Sequence, residues 1–256
     1  MNKPRPYILA ETNWKAVKET DYTLAVLPWG ATEAHNFHMP YGTDNFQAEH
    51  IAALAADEAW KKGAKLIVLP YIPFGVNTGQ LDIKLCINMM PSTQLAILKD
   101  VCDVLSKQGI NKLVIFNGHG ANNFVPHIRE LAGLFPELFI CSLNWYQSAS
   151  KIGIFQNPGD HADEMETSVM MNIAPDLLLP ISEAGDGATK NYMLNGFREG
   201  WAWAQRPWTK ITRDTGSGDP KAATVEKGKI FISATTSNIA AFFHQLATTP
   251  VSDLIG

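Results

Sequence analysis

The sequence contains little cysteine. Three cysteines occur in 256 residues, at Cys86, Cys102 and Cys141, and no two of them form a CxxC pair. Each lies among apolar residues, where an unpaired cysteine is usually a reduced thiol in the core. This pattern is typical of a cytosolic protein, so we expect a cytoplasmic location.

The sequence also lacks a long apolar run and an excess of basic charge. No apolar segment approaches the roughly 18 residues of a membrane span, and the N-terminal stretch has no apolar core of a signal peptide. The formal net charge of -4 gives no broad basic surface for a nucleic acid or an anionic membrane. We therefore expect no nucleic-acid or membrane partner, and a small-molecule substrate, neutral or zwitterionic, stays possible.

What the sequence does contain is an alternation of short apolar runs and amphipathic segments. Runs over 23–30, 65–75, 112–116 and 138–146 resemble buried strands. Helical spacing covers 44–64, 91–109, 123–136 and 224–248, with Ser92 or Thr93 as a candidate N-cap of the second helix. This order predicts an α/β fold, with a mostly parallel sheet between helices. With 46% apolar residues, one domain over residues 1–256 is expected.

Beyond residue 180 this alternation weakens. The segment up to Gly228 has few apolar runs and carries Trp201, Trp203 and Trp208. A loop of this length usually covers a site or forms an interface. The tryptophans could stack on a planar substrate or form a subunit contact, and the sequence favours neither.

Acidic residues and histidines cluster at three predicted ends of strands or helices. The clusters are Glu33, His35, His38 and Asp44; His119; and Asp160, His161, Asp163, Glu164 and Glu166. Ligand sites in open α/β sheets gather at the carboxyl ends of the strands. Carboxylates mixed with imidazoles, without thiolates, suit Zn²⁺, Mn²⁺ or Fe²⁺. Glu33 and His35 point to one side of an extended chain, and Asp44 could bridge two ions.

Each of these residues also has a simpler interpretation. Asp44 is a good N-cap for the helix that follows it. His35 and His38 could be loop residues that bond to backbone carbonyls, and "NGHG" could be only a turn. Glu164 and Glu166 could complement the dipole of a helix. Their convergence on one edge of the predicted sheet favours a shared metal site over these separate roles.

Three segments resemble the creatininase (creatinine amidohydrolase) family. They are "LPWGATEAHNFHMPYGTD", "FNGHGANN" and "DHADEMETS", and "GSGDPKAATVEKG" is similar to a fourth. They occur in the family's order and span most of the chain. The resemblance implies a three-layer α/β/α fold and metal-dependent hydrolysis of non-peptide C–N bonds. It also implies a homo-oligomer, a hexamer in the family's usual form.

The resemblance also implies a set of metal ligands. Glu33, Asp44 and His119 would bind one divalent ion, and His35 and Asp44 the second. The creatininase pattern has a glutamate two residues beyond the NGH histidine, where this chain has Ala121. Glu166 would have to replace it, and this departure argues against creatinine as the substrate. The two ions are most simply Zn²⁺, with Mn²⁺ or Fe²⁺ as alternatives.

The predicted function is hydrolysis of a cyclic amide, amidine or formamide by a metal-bound hydroxide. We expect His161 to protonate the leaving nitrogen or to shuttle the proton, because an imidazole titrates near neutral pH. Asp160 or Glu164 would orient it, so His161 and Glu164 are the predicted catalytic residues. The alternatives are a metallopeptidase that trims a short peptide, a metal-retaining binding protein without turnover, and an isomerase of sugars or lactones.

Overall fold

Four parallel strands form the central sheet of this computed structural model, which describes residues 4–157 and 159–256. The strands are β1 Leu24–Trp29, β2 Leu66–Val68, β3 Lys112–Asn117 and β4 Phe139–Asn144, in the order β2-β1-β3-β4. Met1–Lys3 of the N-terminal stretch and Pro158 before the third motif lie outside the described residues. All residues of β1 and β3, the two central strands, are buried, as expected for a parallel sheet covered on both faces.

Eight α-helices connect and cover these strands. In chain order they are α1 Trp14–Val17, α2 Thr43–Lys61, α3 Pro91–Lys107, α4 Val125–Leu134, α5 Glu164–Ile173, α6 Asn195–Arg198, α7 Trp208–Ile211 and α8 Val225–Thr248. Short 3₁₀ turns occur at Leu9–Glu11, Thr78–Gln80, Trp145–Gln147, Pro175–Leu177, Ile181–Glu183 and Val251–Asp253. None of the described helices is long and apolar enough to cross a membrane.

The helices lie on both faces of the sheet. Side chains alternate along β3, so that Val114 and Phe116 pack into one core while Leu113 and Ile115 pack into the other. The first core is covered by α2, α5 and α8, and the second by α3 and α4. The predicted three-layer α/β/α arrangement around a parallel sheet is therefore confirmed.

Two boundaries differ from the sequence prediction. The strand predicted over 65–75 ends at Val68, because Pro70 and Pro73 have no N–H group to continue the ladder. Helix α3 begins at Pro91 with Met90 as its N-cap, rather than at the predicted Ser92 or Thr93. Proline suits the first position of a helix, where its missing N–H group would have no partner within the helix.

The weakly patterned part of the sequence contains the two four-residue helices α6 and α7. An isolated β-bridge pairs Thr189 with Thr212, and the N–H of Lys190 donates to the carbonyl of Ile211 at 2.8 Å. These contacts close a loop, residues 189–212, that we call the rim segment. By contrast, α8 matches the predicted closing helix almost to the residue, with Thr224 as its N-cap.

Candidate metal centre

Five side chains from four elements converge at the carboxyl end of the sheet. Glu33 and His35 follow β1, and His119 follows β3, the strand next to it. Asp44 lies in the first turn of α2, and Glu166 lies in the first turn of α5. All five are buried, and we call them the acid–imidazole centre. Their convergence agrees with the placement expected from the sequence.

Glu33, Asp44 and His119 form the first group of possible ligands. His119 Nδ1 lies 2.9 Å from Glu33 Oε1 and 3.0 Å from Asp44 Oδ2. Neither of these buried carboxylate oxygens has a hydrogen-bond partner within the described residues. The other ring nitrogen of His119, Nε2, donates to the carbonyl of Val76 at 3.1 Å. In the neutral ring, Nδ1 then presents a lone pair toward two unpartnered oxygens, which is a suitable arrangement for a cation.

His35, Asp44 and Glu166 form the second group. His35 Nε2 lies 3.1 Å from Asp44 Oδ1, while its Nδ1 donates to the carbonyl of Glu33 at 3.1 Å. Asp44 therefore directs one oxygen to each group. This is the position that a carboxylate bridging two neighbouring ions would take.

Neighbouring residues hold these side chains in place. Gln80 donates a short hydrogen bond to Glu33 Oε2, and the N–H of Ala162 donates to Glu166 Oε2. His38 takes no part in either group, because its Nε2 bonds to Thr167 Oγ1 at 2.9 Å. Ligands of protein-bound metals are commonly oriented by such outer contacts. Sequence reasoning missed Gln80, which lies 47 residues from Glu33 in the short 3₁₀ turn Thr78–Gln80.

The electrostatics of the centre favour positive charge. Burial by itself lowers the pKa of His35, but the charge of Asp44 raises this pKa to about 10. Burial likewise opposes protonation of His119, yet Glu33 and Asp44 hold the pKa of its ring well above the usual value. Burial raises the pKa of Glu166 to about 8. The carboxylates of the centre therefore favour bound cations. Protons on the two imidazoles take the place that metal ions could occupy.

His161 lies beside the centre and faces it with one ring nitrogen. Its Nε2 donates to the carbonyl of Ala34 at 2.9 Å, and its Nδ1 lies 3.6 Å from Glu33 Oε1. The ring centroid lies 4.3 Å from that of His35, and the ring meets Trp208 edge to face at 5.3 Å. Burial lowers the pKa of His161, which favours a neutral ring. Its Nδ1 can then accept a proton.

The carboxylates expected to orient His161 have other partners. Glu164 accepts from Lys227 Nζ at 2.5 Å and from the N–H groups of Gln156 and Asn157 at 2.9 and 2.8 Å. Asp160 forms an ion pair with Arg206 at 2.9 Å. The carbonyl of Ala34 bonds to the His161 ring, whereas Glu164 and Asp160 bond to other residues, so their orienting role stays a prediction.

The contacts of the site residues also bear on the simpler interpretations given for them above. Gly42, not Asp44, is the N-cap of α2, and the Asp44 carboxylate faces the imidazoles. "NGHG" begins with the last residue of β3 and leads into a turn at Gly120, and the Asn117 side chain bonds to the backbone of His119 and so fixes the direction of that residue. Glu166 lies in the first turn of α5, as a helix-dipole partner would, with its carboxylate in the second ligand group.

A cavity of about 890 Å³ opens onto the centre. Glu33, His119, His161 and Glu166 line its inner end. Trp203 and Trp208 also line the cavity, which supports a pocket role for these two tryptophans. Trp201 is not among the lining residues, and 75% of its surface is exposed.

Comparisons with known proteins agree with this geometry. A family model described as creatininase (creatinine amidohydrolase) matches residues 10–243. The chain is similar to a structure of a candidate creatinine amidohydrolase from Bacteroides fragilis, with 41% identity, a TM-score of 0.91 and coverage of 98% of this chain and 99% of that one. A creatininase structure shares the fold at 20% identity, with a TM-score of 0.79 over 97% and 100% of the two chains. Others of this fold are described as Zn-Zn and Mn forms.

Two hydrolases are more distant relatives in sequence. The 3-dehydro-scyllo-inosose hydrolase of Thermotoga maritima is 25% identical over 189 residues, or 70% of this chain, and the match spans 60% of that protein's length. The mycofactocin precursor peptide peptidase of Mycobacterium ulcerans is 25% identical over 211 residues, which are 80% of this chain and 78% of the relative. The two names describe different substrates, so the relatives agree on hydrolysis and differ on what is cleaved.

Proposed function

Because the chain belongs to the creatininase family, we propose that it is a metal-dependent amidohydrolase acting on a non-peptide C–N bond of a small molecule. Family membership and the hydrolase relatives support a hydrolase. The proposal adds the metals and the type of bond, a cyclic amide, an amidine or a formamide. Ala121 replaces the glutamate of the creatininase pattern, so creatinine itself is not the proposed substrate.

The observation that carries this proposal is the position of Asp44, whose two carboxylate oxygens serve different ligand groups. Glu33, Asp44 and His119 would hold one ion, and His35, Asp44 and Glu166 the other. Zn²⁺ is the first candidate, with Mn²⁺ or Fe²⁺ as alternatives, and the Zn-Zn and Mn forms of other creatininases support ions of this kind. Such ions, when bound, polarise a substrate carbonyl and make water a stronger acid.

In this proposal His161 handles the proton. The carbonyl of Ala34 fixes its Nε2–H group, which leaves Nδ1 free on the side of Glu33. Burial keeps the pKa of the ring low, so the ring begins neutral. Nδ1 can then take a proton from the attacking water and deliver it to the leaving nitrogen. Glu164 acts at a distance, because its contacts with the loop before His161 hold that loop against α5.

Elemental analysis of the purified protein tests the metal centre. We expect about two divalent ions per chain, as in other two-metal hydrolytic sites. Asp44→Asn should reduce the content to less than about one ion and abolish hydrolysis, since it weakens both groups at once. Asp100→Asn, an exposed acid on α3, is the matched control and should keep both ions. A parent protein that retains none of the three metals after incubation with each would overturn the proposal.

A peptidase that trims a short peptide is the second candidate. It is favoured by the relative from Mycobacterium ulcerans and by a cavity of about 890 Å³, which has room for several residues. A screen of cyclic amides, formamides and tripeptides would separate the two, through ring opening or release of formate in one case and cleavage of a tripeptide at a peptide bond in the other. A single domain, a homo-oligomer and a cytoplasmic location stay predictions.

A further inference from the structure

A second cavity, of about 530 Å³, lies next to the main one. The rim segment supplies most of its lining. Asp160, Trp203, Ala204 and Arg206 line both cavities, so they form the boundary between them. The two cavities are therefore adjacent.

The charges of the second cavity are unequal. Lys190, Arg198 and Arg206 contribute three cations, while Asp160 is the one acid among the described residues that line it. Asp160 already pairs with Arg206. Within the described chain, Lys190 and Arg198 form no ion pair. Two cationic groups are thus left to attract an anion.

Contacts between side chains hold the boundary between the two cavities in place. The Arg206 guanidinium lies over the Trp208 ring, 4.4 Å from its centroid, and bonds to Asp160 at 2.9 Å. Trp208 in turn touches His161, and Asp160 directly precedes His161 in the chain. Whatever occupies the second cavity therefore lies close to the residue proposed to move the proton. Stacked and paired arginines are well suited to orient carboxylates and phosphates.

We propose that the second cavity binds an anionic group of the substrate, a carboxylate or a phosphate, while the bond to be cleaved lies at the acid–imidazole centre. This inference rests on the proposed hydrolytic function and narrows its substrate class. The formal charge of -4 for the whole chain does not indicate such an anion site, because its cations lie together in the rim segment.

Three formamides of similar size test this inference on the metal-loaded full chain. They are N-formyl-O-phosphoethanolamine, N-formyl-β-alanine and, as the neutral reference, N-formylethanolamine. We expect kcat/KM to be about tenfold or more higher for at least one anionic substrate than for the neutral one. Lys190→Gln/Arg198→Gln should lower this ratio about tenfold or more, to near one, the usual effect of losing charge-assisted hydrogen bonds. The phosphate and β-alanine compounds distinguish the two kinds of anion.

The control variant is Arg129→Gln/Lys229→Gln, which removes the same charge from exposed positions on α4 and α8. It should leave the ratio unchanged. Equal kcat/KM values for all three formamides, unaffected by Lys190→Gln/Arg198→Gln, would overturn the anionic class and leave the hydrolase standing.

A binding measurement keeps this test independent of turnover. Calorimetric titration with O-phosphoethanolamine, β-alanine and ethanolamine requires no hydrolysis. If no formamide is cleaved, the proposed formamide hydrolysis fails, and calorimetry decides the inference by itself. Anion binding that weakens about tenfold in Lys190→Gln/Arg198→Gln, but not in the control variant, supports it. Equal affinities in the parent and both variants would overturn it.

Discussion

The acid–imidazole centre and the rim segment differ in how the chain supports them. Every ligand candidate of the centre is buried and lies at the end of a strand or in the first turn of a helix. The rim segment has two four-residue helices, and Trp201 and Trp203 are 75% and 83% exposed. Several of its bonds are internal, such as that from Tyr192 Oη to the carbonyl of Gln205. The proposed chemistry therefore lies on buried ends of regular elements, while the proposed recognition of the substrate lies on a loop, the part of a fold that tolerates change.

The largest effect after loss of a metal ligand is expected at His161. His161→Gln should lower turnover by about 10²-fold to 10⁴-fold, the usual range for a lost general acid or base, with an unchanged metal content. His244→Gln on α8 is the control and should keep full activity. The measurement pairs steady-state kinetics on a substrate from the screen with elemental analysis.

A loss of metal in His161→Gln would contradict this assignment. Glu33, His35 and His161 form a third group whose ligand atoms lie within 4.8 Å of one another. In that case His161 would be a metal ligand and would belong to the acid–imidazole centre.

The next effect concerns the ion pair between Glu164 and Lys227, which joins α5 to α8. Glu164 is fully buried, and the Lys227 side chain is 19% exposed. Lys227→Met should lower the free energy of unfolding by about 3–5 kcal/mol, because it leaves a buried carboxylate without its cation. Adding Glu164→Gln should recover part of this loss. Chemical denaturation followed by circular dichroism measures both.

The matched control is Lys107→Met, which breaks an exposed pair with Asp103 one turn earlier on α3. It should cost less than about 1 kcal/mol, since exposed pairs contribute little. If Lys227→Met were equally mild, the pair between Glu164 and Lys227 would not stabilise the fold as a buried ion pair does.

The sequence predicted the sheet, its covering helices and the convergence of the acids and histidines, because each depends on local periodicity or on position at a strand end. It could not predict the left-handed backbone of Asn36 and Ala162, at φ 53° and 50°. Such angles are rare outside glycine, and tertiary bonds support them here. The Asn36 side chain accepts from the N–H of Gly185 at 2.8 Å, and the N–H of Ala162 donates to Glu166. These residues follow His35 and His161, so the turns direct the imidazoles.

The rim segment was harder to predict for a related reason. Its residues show no helical or strand periodicity, and its loop is closed by contacts between residues far apart, such as the bond between Lys190 and Ile211. The second cavity depends on that closure. The sequence therefore indicated that the segment covers something, but not that it gathers three cations.

The smallest effect is expected at Trp201, and it compares the exposed part of the rim segment with the part that packs beside the centre. Its Nε1 bonds to Glu199 two residues away, and the side chain is mostly exposed. Trp201→Phe should change the free energy of unfolding by less than about 0.5 kcal/mol. Trp208→Phe, in the part of the rim segment that packs against His161, should cost about 1–3 kcal/mol, because the buried indole donates to the carbonyl of Thr215 at 2.9 Å. Equal costs in thermal unfolding would mean that the exposed part of the rim segment is as firmly supported as the part against His161, and its assignment to recognition would lose its physical basis.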